Sequence, residues 1–503
     1  MARLPNPPRR QLLLGTMGAL LGRAVTGAAV RDLPLTALSA VEAVRRMAGG
    51  EITAEAYATA LLERCESQRA LHAFITLEPD RVLAAARDCD RRRHAGERPG
   101  LLFGLPLPVK DSINTRDYPT TAGTPALRHF RPAADAPLVA TLRHQGALLL
   151  GKTNLHELSF GWTSNNLAYG AVRNPYDPTR IPGGSSGGTA VAVAAGMAPL
   201  GVAEDTQGSI RVPAALCGIC GLRPTTGRYD TQGCMPISPL FDQVGPLARS
   251  VADLALFDAA VTGDAASLKA VPLQGVRLGV VRDYFFEGLD PEVARLMAQA
   301  MARLRAAGVV FVESRLPALA GLIDRTTAAI QLHDTRVAVP EYLQRYHAPV
   351  DFDGLVRQTS PDIRAAFDSD VMPGGRNFVT DAVYQQARDV HLPALRRLFA
   401  DYFAQEGVAA LLLPATMVPA PRIGDEQQLT VGQRQVSFDT AVARNISPGS
   451  TAGLPGLVLP VGLSTDGLPV ALELDAPAGA DRSLLALGAA IERELGSLPP
   501  PPA

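Results

Sequence analysis

The sequence predicts an α/β fold in which an all-helical N-terminal segment precedes a largely buried sheet. The segment SAVEAVRRMAGG opens with Ser39 and Glu42 in a capping-box relation, and ITAEAYATALLERCESQ continues with helical spacing. From residue 101 onward, short apolar runs such as LLFGLPLPV alternate with helical segments such as DAPLVATLRHQ. This alternation is typical of a buried sheet covered by helices.

The same alternation returns later in the chain. A helical pattern, PEVARLMAQAMARLRAAG, is followed by the strand-like run VVFVE, and buried-strand texture reappears in AVARNISPGSTAGLPGLVLPVG. Residues 320–440 are more polar, and we expect them to be irregular and to shape a substrate pocket. The sequence has no internal repeat and no long linker, so residues 30–503 are predicted to form a single domain.

Residues 1–29 have the pattern of a targeting segment. Arg9 and Arg10 precede an apolar run with small residues, and a small-residue cleavage region follows at Thr26–Ala29. The paired arginines indicate export by the twin-arginine (Tat) route, and therefore a periplasmic or secreted protein. The alternative is an ordinary N-terminal helix. No other stretch approaches about 18 unbroken apolar residues, which argues against stable membrane insertion.

Composition excludes some partners. The 503 residues carry 48 basic and 49 acidic side chains, for a formal net charge of −1. The two signs are interspersed, so the electrostatic footprint of a nucleic-acid-binding protein is missing. Nothing in the composition indicates an oligomeric state. Five cysteines are few for an exported chain, and Cys217 and Cys220, in C-x-x-C spacing with apolar flanks, are predicted to be core residues.

Lysine is scarce in this chain. Only Lys110, Lys152 and Lys269 are lysines among the 48 basic residues, which indicates a coding bias toward arginine. An ammonium can lose its proton and act as a base, whereas a guanidinium cannot. Lys110 and Lys152 are therefore candidate bases.

Residues 146–153 match the P-loop pattern G-x-x-x-x-G-K-[ST]. A P-loop needs a strand before its first glycine, but here the strand-like residues lie between the glycines, after a helical VATLRHQ. The context is wrong for nucleotide binding.

Residues 183–187 match G-x-S-x-G, the nucleophile elbow of α/β-hydrolases. That elbow needs a strand immediately before it and a histidine late in the chain. The preceding RNPYDPTRIP is turn-rich, and the last histidine is His391. A histidine-based triad is therefore poorly supported.

The glycine-rich stretch offers backbone groups instead. Glycines at 183–188 allow close approach of a substrate, and the turn Asp205–Ser209 follows an apolar run, so its N–H groups can form an oxyanion hole. Lys110 ends another apolar run, GLPLPVK. Together these features suggest a serine hydrolase whose base is a lysine.

Three motifs, GLPLPVKDSINT, PGGSSGGTAVAVAAG and EDTQGSIRVPAALCGICGLRPTTGR, resemble the amidase signature family. The resemblance is strongest over residues 101–262 and is found again over residues 445–495. Within that family, the motifs are most similar to those of the indoleacetamide and mandelamide hydrolases. It implies a mixed β-sheet core covered by helices on both faces, with a catalytic core at about 80–262 and a variable pocket region at about 320–440. Lys110, Ser185 and Ser209 fall on the Ser-cisSer-Lys triad positions, at intervals of 75 and 24 residues.

The resemblance implies a reaction as well. Lys110 is the base, Ser185 relays the proton at a cis peptide, and Ser209 attacks the amide carbon to form an acyl-enzyme. Thr206, Gln207, Gly208 and Ser159 are the expected oxyanion and substrate-binding residues. Neither a cofactor nor a metal is implied.

The expected substrate is a small aryl or arylalkyl carboxamide. Alternatives are an esterase or carbamate hydrolase with the same triad, and a noncatalytic binding protein if the oxyanion turn is disrupted. An amidotransferase subunit is disfavoured by the export signal.

Gln207 departs from the family pattern, which most often has glycine at this position. If position 207 needs a positive φ, a glutamine there is strained; if it does not, the side chain can line the pocket. We favour the second interpretation, because a backbone donor survives replacement by any residue except proline.

Neighbouring residues have more modest expected roles. Asp205 and Arg211 either pair to brace the nucleophile turn or are separate surface charges. Ser186 is expected to be a structural hydroxyl, and Lys152 to pack or form hydrogen bonds. Trp162 and Phe160 either face the acyl pocket or belong to the core.

Overall fold

The computed structural model describes residues 33–502 of the chain. These residues contain fifteen strands and seventeen α-helices. The strands are β1 Phe74–Thr76, β2 Pro106–Lys110, β3 Leu148–Thr153, β4 Asn165–Asn166, β5 Gly170–Ala171, β6 Leu200–Asp205, β7 Cys220–Arg223, β8 Gln243–Ala248, β9 Arg277–Val281, β10 Val310–Ser314, β11 Ala410–Pro414, β12 Gln428–Val431, β13 Arg434–Ser437, β14 Gly456–Leu463 and β15 Pro469–Asp475. The helices are α1 Ala40–Gly49, α2 Ala54–Ser67, α3 Pro79–His94, α4 Pro137–His144, α5 Gly187–Ala194, α6 Arg211–Leu216, α7 Val251–Thr262, α8 Arg282–Phe285, α9 Pro291–Ala306, α10 Leu319–Arg345, α11 Phe352–Arg357, α12 Pro361–Ala366, α13 Asp381–Gln386, α14 Leu392–Glu406, α15 Phe438–Ala443, α16 Ser447–Ala452 and α17 Asp481–Leu495.

The N-terminal segment is helical, as predicted. The Ser39 side chain accepts a hydrogen bond from the Glu42 amide (3.2 Å) and caps the start of α1. Gly50, with φ 73°, follows the last residue of this helix. Thr53 caps α2 in the same way through the Ala56 amide (3.0 Å). These caps satisfy amide groups that the first turn of a helix leaves without partners.

Eleven of the strands form one mixed sheet in the order β1-β3-β2-β6-β8-β7-β14-β15-β11-β9-β10. The pairs β2–β3, β2–β6, β9–β10 and β9–β11 are parallel, and the remaining pairs in this sheet are antiparallel. The prediction of a mixed α/β fold is therefore confirmed.

Helices cover both faces of the sheet. Leu412 of β11 belongs to the main core cluster, together with residues of α9 and α17, whereas Leu411 and Leu413 belong to a second cluster with residues of α14. Neighbouring residues of a strand point to opposite faces. The alternation along β11 therefore places helices on the two sides, as the family resemblance implies.

The edge that holds the candidate site is set by two neighbouring strands. β2 and β6 are parallel, so their carboxyl ends lie at the same edge of the sheet, and they end at Lys110 and Asp205. Ligand sites in open α/β sheets form at such carboxyl ends. Two of the predicted site segments meet there for this reason.

Region 320–440 differs from its prediction. It was expected to be irregular, but it begins with the 27-residue helix α10 and continues mostly with helices through α14. α10 contacts α11, α13, α14 and α16, so its buried residues do not follow one stripe, and Pro340 lies inside it. The usual amphipathic signal is weak in a helix that is covered on several sides.

Two rejected motifs have the structural context that the sequence predicted. Within residues 146–153, β3 occupies Leu148–Thr153, so a strand fills the place of a phosphate cradle. Among the described residues, no strand lies between β5, which ends at Ala171, and Ser185. Cys217 and Cys220 are buried free thiols, as expected of core residues.

The predicted signal peptide, residues 1–29, lies outside the described residues. Within 33–502, none of the helices has the combination of length and apolar composition that crossing a bilayer requires.

Candidate active site

Lys110 and Ser185 form a buried pair. The Lys110 Nζ donates a hydrogen bond to Ser185 Oγ at 2.7 Å, and both residues are fully buried. The peptide bond between Gly184 and Ser185 is cis, as the resemblance implies. The structure thus joins two of the three predicted triad residues through their side chains.

Small residues let the Ser185 segment enter the core. Ser164 Oγ donates to the carbonyl oxygens of Gly183 (2.9 Å) and Ser185 (3.2 Å). A Cβ at Gly188, in the first turn of α5, would lie 2.4 Å from the carbonyl oxygens of Ala73 and Asn154. Because any side chain at 188 would collide with this backbone, glycine is required there.

Ser209 lies in the turn that follows β6. The Asp205 carboxylate accepts hydrogen bonds from the amides of Gly208 (2.8 Å) and Ile210 (3.0 Å), on either side of Ser209. The Ser186 amide donates to the Ser209 carbonyl at 3.2 Å, which connects this turn to the Ser185 segment. No described residue forms a hydrogen bond with Ser209 Oγ, and Ser209 is 4% exposed.

Two arginines hold Asp205. Arg211 donates to both of its carboxylate oxygens at 3.1 Å, and Arg223 Nη1 lies 3.2 Å from Oδ1; all three side chains are fully buried. Burial alone would raise the pKa of Asp205, but the two guanidinium groups bring it well below its usual value. Of the two alternatives for Asp205 and Arg211, the structure supports the pair that braces the turn and not separate surface charges.

The oxyanion prediction needs one correction. The Gly208 amide is used by Asp205, and Gly208 has φ 113°, so this residue supplies the left-handed turn conformation rather than a free donor. None of the described residues accepts a hydrogen bond from the amides of Thr206, Gln207 or Ser209. Those three amides are the candidate oxyanion donors. The Thr206 hydroxyl donates to Asp242 Oδ1 at 2.6 Å.

Gln207 is not among the described residues with positive φ, so the interpretation without backbone strain is confirmed. Its side chain is buried and lies 3.3 Å from Thr451 Oγ1, which in turn lies 2.8 Å from Thr327 Oγ1 on α10. Trp162 Nε1 donates to the Gln207 carbonyl oxygen at 3.1 Å. Gln207 therefore connects the nucleophile turn to the region that was expected to shape the pocket.

Sequence reasoning missed Glu204. Its Oε1 lies 3.1 Å from Lys110 Nζ and accepts a hydrogen bond from Ser159 Oγ at 2.5 Å. This contact places Ser159 beside the partner of Lys110, and its predicted role in substrate binding stays a prediction. The available signal was an acidic residue inside the buried strand run LGVAED.

Burial dominates the ionisation of Lys110. Burial lowers the pKa of Lys110 below its usual value, and the Glu204 carboxylate partly offsets this effect. A buried lysine with a lowered pKa can act as a base near neutral pH.

Lys152 and Ser186 have the structural contacts that were expected of them, and Phe160 has a contact of the core kind, one of its two alternatives. Lys152 donates to the Ile113 carbonyl (2.8 Å) and lies 3.1 Å from Asp111 Oδ1, so it has a structural role. Ser186 Oγ donates to the Glu204 carbonyl at 3.1 Å. Phe160 packs against Phe367 with ring centroids 4.8 Å apart.

Most of the chain is similar to known amide hydrolases. A family model described as Amidase matches residues 56–485. An indoleacetamide hydrolase of Agrobacterium vitis is 37% identical over 464 residues, covering 92% of this chain and 98% of that protein. A mandelamide hydrolase of Pseudomonas putida is 36% identical over 485 residues, covering 93% of this chain and 93% of that protein. The X-ray structure of the native peptide amidase from Stenotrophomonas maltophilia has a TM-score of 0.75 at 29% identity, covering 93% of this chain and 99% of that chain.

The fold, the motifs and these similarities define a hydrolase that cleaves amide C–N bonds. The chain belongs to the amidase family, which confirms the resemblance drawn from its three motifs. The alternative of a noncatalytic binding protein is set aside.

Proposed function

We propose that this protein hydrolyses a small aryl or arylalkyl carboxamide through an acyl-enzyme on Ser209. The observation that carries this proposal is the 2.7 Å hydrogen bond between buried Lys110 and Ser185, beside a turn that presents Ser209 without a hydrogen-bonding partner for its hydroxyl among the described residues. A serine hydroxyl needs a base close by, and a buried lysine in its neutral form can supply one.

In the proposed steps, the relay takes up a proton as Ser209 attacks and later gives a proton to the leaving nitrogen. Lys110 accepts a proton from Ser185, Ser185 accepts one from Ser209, and Ser209 Oγ attacks the carbonyl carbon. The amides of Thr206, Gln207 and Ser209 are available to stabilise the oxyanion. The C–N bond then breaks, the relay returns its proton to the leaving nitrogen, and water releases the acid from Ser209.

An aromatic acyl group is supported by two kinds of observation. The two relatives described above act, by their names, on indoleacetamide and mandelamide, whose acyl groups are aromatic. A partly exposed aromatic side chain lies at the turn, because Trp162 Nε1 donates a hydrogen bond to the Gln207 carbonyl oxygen. Aromatic rings pack favourably against one another in such pockets.

A panel of substrates tests this proposal. Ammonia or amine release would be measured for indole-3-acetamide, mandelamide, a short aliphatic amide, an anilide and a peptide amide. Phenylacetate esters are the ester comparison, and their cleavage would be measured as release of phenylacetic acid. We expect the highest kcat/KM for the two aromatic primary amides. Faster cleavage of the aliphatic or peptide amides would contradict the aryl assignment, and faster cleavage of esters would favour the esterase alternative.

Substitution of Gln207 by Ala is expected to raise KM about 3- to 10-fold while leaving kcat nearly unchanged. The backbone amide at 207 survives the change, whereas a side-chain contact worth about 1 kcal/mol is lost. Steady-state kinetics on the best amide checks this result. Thr451→Val is the matched variant, because it removes the partner of Gln207 and should raise KM by a similar factor. A loss of more than about 100-fold in kcat with unchanged KM would contradict the assigned role.

We also propose that the protein is exported to the periplasm or secreted. The support is the sequence pattern of residues 1–29, with Arg9 and Arg10 before an apolar run. Cell fractionation with immunoblotting of the full chain would test it. A protein that is uncleaved and found only in the cytoplasm would contradict the proposal.

A further inference from the structure

The Glu204 carboxylate has no part in the proton relay proposed above, yet it touches the base. Its Oε1 lies 3.1 Å from Lys110 Nζ, the same atom that donates a hydrogen bond to Ser185 Oγ. The same oxygen accepts a hydrogen bond from Ser159 Oγ at 2.5 Å. Glu204 Oε1 therefore contacts both Ser159 Oγ and Lys110 Nζ, and the Ser159 hydrogen bond holds this oxygen beside the amine.

Both charged side chains are almost completely removed from water. Lys110 is fully buried, and Glu204 is 7% exposed. An ion pair in such surroundings interacts more strongly than a surface pair, because little solvent screens it. The carboxylate stabilises the ammonium form of Lys110, whereas the relay needs the neutral amine.

We propose that Glu204 is a positioning residue that acts through Lys110: its carboxylate aims Nζ at Ser185 and keeps the proton on Lys110 until the medium is basic enough to remove it. This inference rests on the proposed function. The proton balance is simple: one proton leaves the ammonium for water, and the neutral amine that remains accepts the Ser185 proton in the relay.

Other ionisable groups also face this pair. The other ionisable groups that influence Lys110 or Glu204 lie in the segment after β3, in β6, between β7 and β8, and in α10. They are His156, Asp205, Cys234, Asp242 and Tyr342. Burial raises the pKa of Asp242 to about 7 and lowers that of His156 to about 4. Among the influences that raise the pKa of Lys110, the Glu204 carboxylate is the largest, while burial is the greater opposing effect.

The sign of the expected pH effect follows from the charge. A neighbouring negative charge raises the pKa of an amine, so the neutral form appears only at higher pH. Replacing Glu204 with the neutral, similarly shaped Gln removes that charge. Lys110 then becomes neutral at a lower pH, and the acid limb of the plot of activity against pH shifts to lower pH.

The test measures the rate at which a fluorophosphonate modifies Ser209 between about pH 5 and pH 10, for the full chain and for Glu204→Gln. We expect the ratio of the rate at pH 6 to the rate at pH 9 to rise about tenfold in the variant, the size typical of losing an opposite charge within ~4–6 Å. The control is Glu66→Gln, whose side chain is 75% exposed on α2 and should leave the profile unchanged.

An acid limb that stays in place in a folded Glu204→Gln variant would overturn the inference. A uniform loss of rate at every pH would point to a structural role and would also overturn it. Glu204→Asp keeps the charge, so its limb should stay near that of the original chain even if the rate falls.

Glu204→Thr is a second neutral variant for the case in which Glu204→Gln does not fold, since a β-branched residue suits a strand. Its limb must move in the same direction, and an unmoved limb contradicts the inference. Labelling of the original chain separates the two proposals. If the fluorophosphonate does not modify Ser209 of the original chain at any pH, the proposed function fails. If it does modify Ser209 but the acid limb stays in place in the variants, only the role of Glu204 is overturned.

Discussion

Substitution of Ser209 by Ala is expected to abolish amide hydrolysis, lowering kcat by a factor on the order of 10⁴ to 10⁶. The proposed reaction forms its covalent bond at Ser209 Oγ, and alanine has no nucleophile to replace it. The fold should persist, because no described residue bonds that hydroxyl and the turn is held instead by Asp205. Ammonia release from the best amide of the panel is the measurement, with the melting temperature recorded in parallel.

Ser67→Ala is the matched control for this loss. Ser67 ends α2 and donates only to the Arg64 carbonyl, so the same chemical change there should leave kcat within about twofold. A folded Ser209→Ala variant that keeps more than about one hundredth of the original rate would contradict the assignment of the nucleophile.

Substitution of Arg211 by Met is expected to destabilise the protein by about 3–5 kcal/mol. The guanidinium of Arg211 donates to both Asp205 oxygens and, at 2.5 Å, to Glu473 Oε1, and all of these groups are fully buried. Methionine fills similar space but leaves two buried carboxylates without their shared cation. Urea unfolding, with the midpoint and slope measured for both chains, gives the change in the free energy of unfolding.

Arg282→Met is the control for Arg211→Met. Arg282 pairs with Glu313 on the surface, where both side chains are more than half exposed, and such pairs contribute about 0–1 kcal/mol. Equal effects of the two substitutions would show that the network around Asp205 does not hold the nucleophile turn.

The triad candidates could be predicted because their signals are local. Lys110 stands out by residue type in an arginine-rich chain, and Ser185 and Ser209 lie in glycine-rich turns beside apolar runs. The α/β class followed from the alternation of apolar runs and helical segments, which reports burial directly. These features need no knowledge of contacts between distant parts of the chain.

The contacts of Glu204 and Ser159 could not be predicted in the same way. Which face of β6 holds the Glu204 side chain depends on strand register, and a shift by one residue would turn it away from Lys110. Ser159 reaches it from a turn after β3, where the backbone at Ser159 has φ 58°. Neither the register nor this turn has a signal in the residue pattern.

The Gly208 amide shows a second limit. A turn rich in small residues predicts several amides that point into one cavity, but it does not predict which of them a neighbouring side chain takes up. Asp205 takes the Gly208 amide because two buried arginines hold its carboxylate in place. That arrangement depends on Arg223 from the next strand in the chain.

The central claim, that Ser209 is the nucleophile and depends on Lys110, is tested most directly by locating a covalent adduct. The full chain would be incubated with a fluorophosphonate, digested, and analysed by peptide mass spectrometry. We expect one adduct, on Ser209, and its loss in a folded Lys110→Ala variant because the base is gone. An adduct on Ser185, or labelling of Ser209 that persists at the original rate without Lys110, would contradict it.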